Sequence, residues 1–280
     1  MSADIEQNPL GFADDELARR INEQGYAVAD LFSQSDILYL QNGYRTAPGE
    51  EASGFHATMY SGSEAYRRNV HELIEPVVSA KLNRVLHGYR LRVANWVVKE
   101  AGKADSVVGF HQDWSFVDES RFRSINLWFP LMDVNVFNGC LQVVPGSHRI
   151  STDPRAHFDR GRFDELGAVL REFHTVAVPL QAGQGIFYDG ALLHGSAVNQ
   201  TGHRRLAIGT VLVPEGAPML HSFRVSSDSV ELYAADDAFF WRHQPGVRPA
   251  GIPLTGSIES STTQHGPEIL TRLQDALAKM

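Results

Sequence analysis

Three side chains are placed to do metal chemistry: His111, Asp113 and His194. On an extended backbone, residues two apart project to the same side. The imidazole of His111 and the carboxylate of Asp113 can therefore grip one ion together. His-x-Asp alone is a common tripeptide; His194, in Leu192-Leu193-His194-Gly195-Ser196, adds the second imidazole. Two histidines and one carboxylate on one face of an octahedral ion leave about three positions open, which suits Fe(II) and dioxygen. The sequence has no Cys₂His₂ or His-Glu-x-x-His pattern, which weakens a zinc reading.

Open positions of this kind fit a 2-oxo acid, chelating through its keto oxygen and the adjacent carboxylate. A far carboxylate would then need a cation at a fixed distance. Arg204 and Arg205 follow His194 on a β-like run, and adjacent strand residues face opposite ways, so only one can enter the site. Arg205 shares its face with the small residues Ala207 and Gly209, which leave room for a ligand. Arg204 shares the other face with Leu206 and Ile208, which would pack against another layer. Arg205 is the expected clamp, because a guanidinium stays charged and bonds a carboxylate with two parallel donors.

Helices and strands must position these groups. Residues 14–24 read as a helix, with Asp14, Asp15 and Glu16 at its start and Gly25 as its stop. Tyr26–Phe32 alternates as a strand, and Ser33 and Ser35 can cap a second helix to about residue 46. Residues 46–63 read as a loop, either a mobile lid carrying His56 and Tyr60 or an ordinary surface loop. Val70, Leu73, Ile74, Val77 and Val78 form a core-facing helical stripe that Pro76 should kink or end. From residue 89 the pattern changes to short strands separated by turns: 91–99, 107–116, 124–132, 141–144, 176–179, 185–188 and 205–213. Such spacing indicates a sandwich or barrel, of which the jelly roll is one solution. A helical insertion is expected near 160–174. After Pro214 the tail reads as irregular until a terminal helix at 267–278. The expected layout is one domain over 1–280: a helical layer (1–88), a β core (89–214) and a C-terminal segment (215–280).

The 280 residues carry a net charge of −8 and no block of Lys or Arg, which argues against a nucleic-acid partner. Cys140 is the sole cysteine, so no intrachain disulfide is possible, and the chain suits a reducing cytosol. The N-terminal stretch lacks the apolar segment of a leader, and no apolar run reaches the ~20 residues that cross a bilayer. A soluble, cytoplasmic protein acting on a small-molecule substrate is expected, with the oligomeric state left open.

The stretch from Asn95 to Val213 resembles the phytanoyl-CoA dioxygenase (PhyH) family of Fe(II)/2-oxoglutarate oxygenases. The matching pieces are Lys99, His111-Gln112-Asp113, Trp128, Asn138-Gly139-Cys140-Leu141, Pro145-Gly146-Ser147-His148, and His194-Gly195-Ser196 followed by Arg205. Arg205 stands at the spacing that the family's carboxylate-binding arginine keeps from its second histidine. The resemblance implies a double-stranded β-helix (mainly β with α, jelly-roll-like) with Fe(II) near one mouth, and 2-oxoglutarate and O₂ as co-substrates. It further implies that Gln112, Trp128, Ser196, Arg205 and Asn95 line the co-substrate pocket. Asn126 shares a strand face with Trp128 and is expected there too. Pro145–His148 reads as a structural turn. Related halogenases replace the carboxylate ligand with a small residue, so Asp113 disfavours halogenation.

Substrate-contacting candidates are His56, Tyr60, Trp114, Phe116, Asp118, Glu119, Arg121, Arg123 and the run Phe239-Phe240-Trp241. The expected activity is hydroxylation, desaturation or cyclisation of a small molecule, with release of succinate and CO₂. Two alternatives stand beside it: a non-redox metal-dependent cupin enzyme, and a catalytically silent binding protein of the same fold.

Overall fold

The computed structural model of the chain describes residues 10–47, 53–150, 154–156, 170, 174–226, 229–259, 271–273 and 275. Helix α1 (Asp15–Gln24) starts where the Asp14 carboxylate accepts from the Leu17 amide at 2.9 Å, and stops at Gly25, which takes φ 84°. Strand β1 (Tyr26–Asp30) follows, then α2 (Gln34–Thr46), opened by a capping box of Ser33 and Asp36. Within the stretch read as a loop, Phe55–Ala57 forms a short strand, β2. It pairs with β3 (Tyr89–Lys99), so Phe55 lies opposite Lys99.

Helix α3 (Glu64–Leu82) runs through Pro76 without ending. Proline removes one hydrogen bond to the carbonyl four residues back. Both Pro76 and Glu72 are exposed, on a face of the helix where solvent can compensate the lost bond, and the helix continues to Leu82.

The rest of the β core comprises β4 (Val108–His111), β5 (Ile125–Pro130), β6 (Leu141–Val143), β7 (Val176–Val178), β8 (Gln184–Asp189), β9 (His194–Ser196) and β10 (Arg205–Pro214). Two antiparallel sheets result, ordered β1-β8-β5-β10-β3-β2 and β4-β9-β6-β7. Together they form the double-stranded β-helix. Alternation divides each strand of the larger sheet between two environments. On β5, Ile125, Leu127 and Phe129 pack against Ile21, Leu40, Ile74 and Val78 of the helical layer. Trp128 faces inward with Leu141, Val143, Ile186 and Ala207.

The C-terminal segment departs from the expected irregular tail. Strands β11 (Met219–Ser226), β12 (Ser229–Ala235) and β13 (Leu254–Glu259) make a third antiparallel sheet, with helix α4 (Phe239–Arg242) between the last two. Two buried positions of β11 are His221 and Ser222. Polar residues at buried positions on both faces hide the apolar alternation that identifies a strand. The expected insertion helix lies outside the described residues except for helical Leu170; of the expected terminal helix, residues 271–273 and 275 are described and helical. Leu170 and Leu273 are both buried, in a small cluster with Phe110, Val144 and Leu193.

Candidate active site

Strands β4 and β9 are antiparallel neighbours, and their register sets His111 directly opposite His194. The two ring centroids are 4.3 Å apart. Nδ1 of His111 lies 2.9 Å from the Gly109 carbonyl, and Nδ1 of His194 lies 2.9 Å from the Leu192 carbonyl. A carbonyl can only accept, so both Nδ1 atoms carry the hydrogen and both Nε2 atoms offer lone pairs. Those atoms converge on Asp113: each Nε2 is 3.7 Å from a carboxylate oxygen, His111 to Oδ1 and His194 to Oδ2. One potential ligand atom from each of the three residues falls within a 4.8 Å span.

The expected strand 107–116 is shorter than its sequence suggests, because β4 ends at His111. Asp113 is instead fixed by individual bonds. Its amide donates to the Gly190 carbonyl at 3.2 Å, its carbonyl accepts from Arg155 Nε at 2.7 Å, and its Oδ2 accepts from Asn126 Nδ2 at 2.5 Å. The Tyr188 hydroxyl lies 3.4 Å from the same Oδ2. Burial, and the nearby Asp113 charge, raise that phenol's pKa well above its ordinary value.

A cavity of about 120 Å³ opens over the three residues. Asn95, Asn126, Trp128, Ser196 and Arg205 all line it. Arg205 is 1% exposed, and its Nε and Nη1 have no hydrogen-bond partner. The guanidinium sits 5.2 Å from the Trp128 ring centroid. Burial pushes its pKa down to about 9, so it is still charged at neutral pH and lacks only an anion. Asn95 donates to the Gly209 carbonyl at 2.8 Å, leaving its Oδ1 unpartnered. The orphaned Arg205 donors and the convergent Nε2 pair fit a divalent metal ion with a dicarboxylate beside it.

Gln112, expected in the co-substrate pocket, is placed elsewhere by the structure. It lies outside the cavity lining and donates to the Ala191 carbonyl at 2.6 Å, a bond that holds it away from the cavity just past the end of β4. Lys99, wholly buried, donates to the carbonyls of Ser106, Ala197 (2.6 Å) and Ser196 (3.3 Å). It thereby fastens the segments that flank both histidines. His148 is buried with its Nε2 3.2 Å from the Asn22 carbonyl, a structural position.

The substrate candidates separate into groups. Tyr60, Trp114 and Phe116 line the cavity, joined by Phe55 and Met59, which the sequence did not single out. Phe240 packs behind Phe116 at 5.0 Å, and Trp241 sits against His71 at 4.7 Å. His56 faces the other side of the sheet, 3.3 Å from Glu100. Glu119 pairs with Arg155, and Arg123 with Asp189. Asp118 accepts from Ser120 in its own turn, and Arg121 stacks on Phe122.

A double-stranded β-helix with two histidines, a carboxylate and a buried arginine is the layout of an Fe(II)/2-oxoglutarate-dependent oxygenase. The sequence profile of phytanoyl-CoA dioxygenase (PhyH) matches residues 21–207, and the chain belongs to that family. It is a dioxygenase of the class that uses Fe(II), 2-oxoglutarate and O₂. A phytanoyl-CoA dioxygenase of Arabidopsis thaliana is 28% identical over 213 residues, 67% of this chain and 74% of the relative. Among solved structures, the epimerase SnoN in complex with Fe³⁺, α-ketoglutarate and nogalamycin RO has a TM-score of 0.53 at 21% identity, covering 89% of this chain and 96% of that one. HygX from Streptomyces hygroscopicus, with nickel, 2-oxoglutarate and hygromycin B bound, has a TM-score of 0.54 at 16% identity, covering 75% and 90%. Among the described residues, no helix is long and apolar enough to cross a membrane.

Proposed function

We propose that this protein couples oxidative decarboxylation of 2-oxoglutarate to succinate and CO₂ with hydroxylation, desaturation or cyclisation of a small molecule. The observation that carries the reading is Arg205, a buried cation with free donors beside three convergent metal-ligand side chains. Iron held by His111, Asp113 and His194 would supply the redox chemistry of O₂ activation. Arg205 takes the far carboxylate of 2-oxoglutarate, and Ser196, Asn95 and Trp128 shape the space around it. The Gly109 and Leu192 carbonyls hold the two imidazoles in their ligating tautomer, and Asn126 aims the carboxylate. Phe55, Met59, Tyr60, Trp114 and Phe116 form an apolar wall that excludes water and receives the substrate.

Among the described lining residues, Arg205 is the sole Lys or Arg. Once it binds 2-oxoglutarate, no permanent cation is left among them for an anionic substrate, which disfavours one. Nogalamycin RO and hygromycin B, bound by the two structural relatives, are likewise small molecules. A non-redox cupin enzyme has no use for such a clamp, and a silent binding protein has no need of the intact ligand set. The test is purified protein with Fe(II), ascorbate, O₂ and 2-oxoglutarate. Succinate should form slowly without substrate and faster with one, the product gaining one oxygen or losing two hydrogens by mass. Absence of succinate from an iron-loaded, folded sample would reject the reading.

A further inference from the structure

We infer that Arg155, braced by Glu119, is the positioning residue for Asp113; this rests on the reading of His111, Asp113 and His194 as metal ligands. Because β4 stops at His111, no strand ladder holds the backbone two residues later. Arg155 supplies the restraint. It is 3% exposed, and each of its three guanidinium nitrogens is engaged: Nη1 and Nη2 each lie 2.6 Å from an oxygen of Glu119, and Nε lies 2.7 Å from the Asp113 carbonyl. The main chain joins as well. The Ser115 amide donates to the Arg155 carbonyl at 2.9 Å, and the Arg155 amide to Ser115 Oγ at 3.1 Å.

The chemistry of guanidinium makes this more than a tether. With both terminal nitrogens committed to one carboxylate, the plane of the group is set, and its Nε–H can point in one direction only. That direction meets the Asp113 carbonyl, which fixes the peptide plane and hence the line along which the side chain leaves the backbone. Glu119 closes the same turn that carries Trp114 and Phe116 into the cavity. The ion pair therefore sets the metal ligand and the apolar wall relative to each other, while neither partner lines the cavity.

A buried ion pair is weak grounds for a purely stabilising role, since apolar residues of similar volume often hold a fold as well. That allows stability and positioning to be separated. Arg155→Lys keeps the charge but loses the fork. The double variant Arg155→Met/Glu119→Leu removes both charges together and leaves neither stranded. Co(II) is the probe, followed by equilibrium dialysis and by the visible absorption of the bound ion. Both variants should retain the circular dichroism of the parent, bind Co(II) about 10- to 100-fold more weakly, and show an altered Co(II) spectrum. A folded double variant with the parent's affinity and spectrum would overturn the inference; should that variant not fold, Arg155→Lys decides by the same comparison. The parent and His194→Ala are measured alongside. Equal Co(II) binding by those two would count against the ligand set itself and remove the basis of the inference.

Discussion

Arg204 and Arg205 are consecutive on β10 yet meet opposite environments: Arg204 Nε lies 2.8 Å from Glu100 on a half-exposed surface, and Arg205 is buried beneath Trp128. Their flanks follow the same division. Ala207 joins the inner cluster, and Ile208 packs with the helical layer. An exposed ion pair is worth less than ~1 kcal/mol. Losing the partner of a buried carboxylate costs about 3 kcal/mol. Arg205→Ala should therefore raise the Michaelis constant for 2-oxoglutarate roughly a hundredfold, with Arg204→Ala within a few-fold. Titrating 2-oxoglutarate against both variants measures this, and the reverse ranking would refute the assignment of Arg205.

Asn126 and Gln112 offer a second contrast. Asn126 donates to Asp113 Oδ2, and Gln112 donates to a backbone carbonyl outside the cavity. Partners that orient a ligand typically carry about 10- to 100-fold in metal affinity. Asn126→Ala should weaken metal binding by that order, read by dialysis against Mn(II). Gln112→Ala should leave both metal affinity and the Michaelis constant for 2-oxoglutarate within about twofold, at a stability cost near 1 kcal/mol for the Ala191 carbonyl.

The site and its scaffold differ in how far the sequence reveals them. Arg205 lies on the ten-residue β10, whose inward face can be read directly from the chain, whereas His111 and His194 stand on strands of four and three residues and are legible through the His-x-Asp pair and the second histidine. The family's spacing then links the strands. Asp113 is a less direct case: it lies beside both histidines although the strand that was to carry it ends early. What replaces the strand is Arg155, which reaches Asp113 and Glu119 from a distant segment. No local pattern marks such a contact, and a lone arginine reads as surface. The same holds for β2, whose three residues are too few for periodicity to register, and for β11, where His221 and Ser222 occupy buried positions.

Gly139 tests the backbone behind the site. It takes φ 80°, and a Cβ there would stand 2.8 Å from the Ala197 carbonyl and 2.9 Å from Lys99 Cδ. The left-handed conformation alone costs an alanine roughly 1–2 kcal/mol, and the carbonyl cannot retreat without disturbing its bond from Lys99. Gly139→Ala should lower the melting temperature by several degrees and weaken metal binding through β9. A variant as stable as the parent would mean that this turn is free to relax.

Acid should destabilise the fold through two buried histidines before any carboxylate is protonated in bulk. Burial pushes both His148 and His221 down to about 4, with the nearby His243 adding to the effect on His221. In the unfolded chain each titrates near 6.5. Between those values the unfolded chain binds protons that the folded protein refuses, so stability falls as pH drops from about 6.5 to 4 and these groups add no further loss below that. Each contributes on the order of 3 kcal/mol across the full window. His221 can be removed cleanly: its Nδ1 has no partner, and its ring lies 4.9 Å from Phe239, a setting that accepts phenylalanine. The melting temperature of His221→Phe should decline less between pH 7 and pH 5 than that of the parent. His148, still bonded to the Asn22 carbonyl, should account for part of the slope that remains. An identical decline in both proteins would show that His221 takes up its proton without leaving the fold.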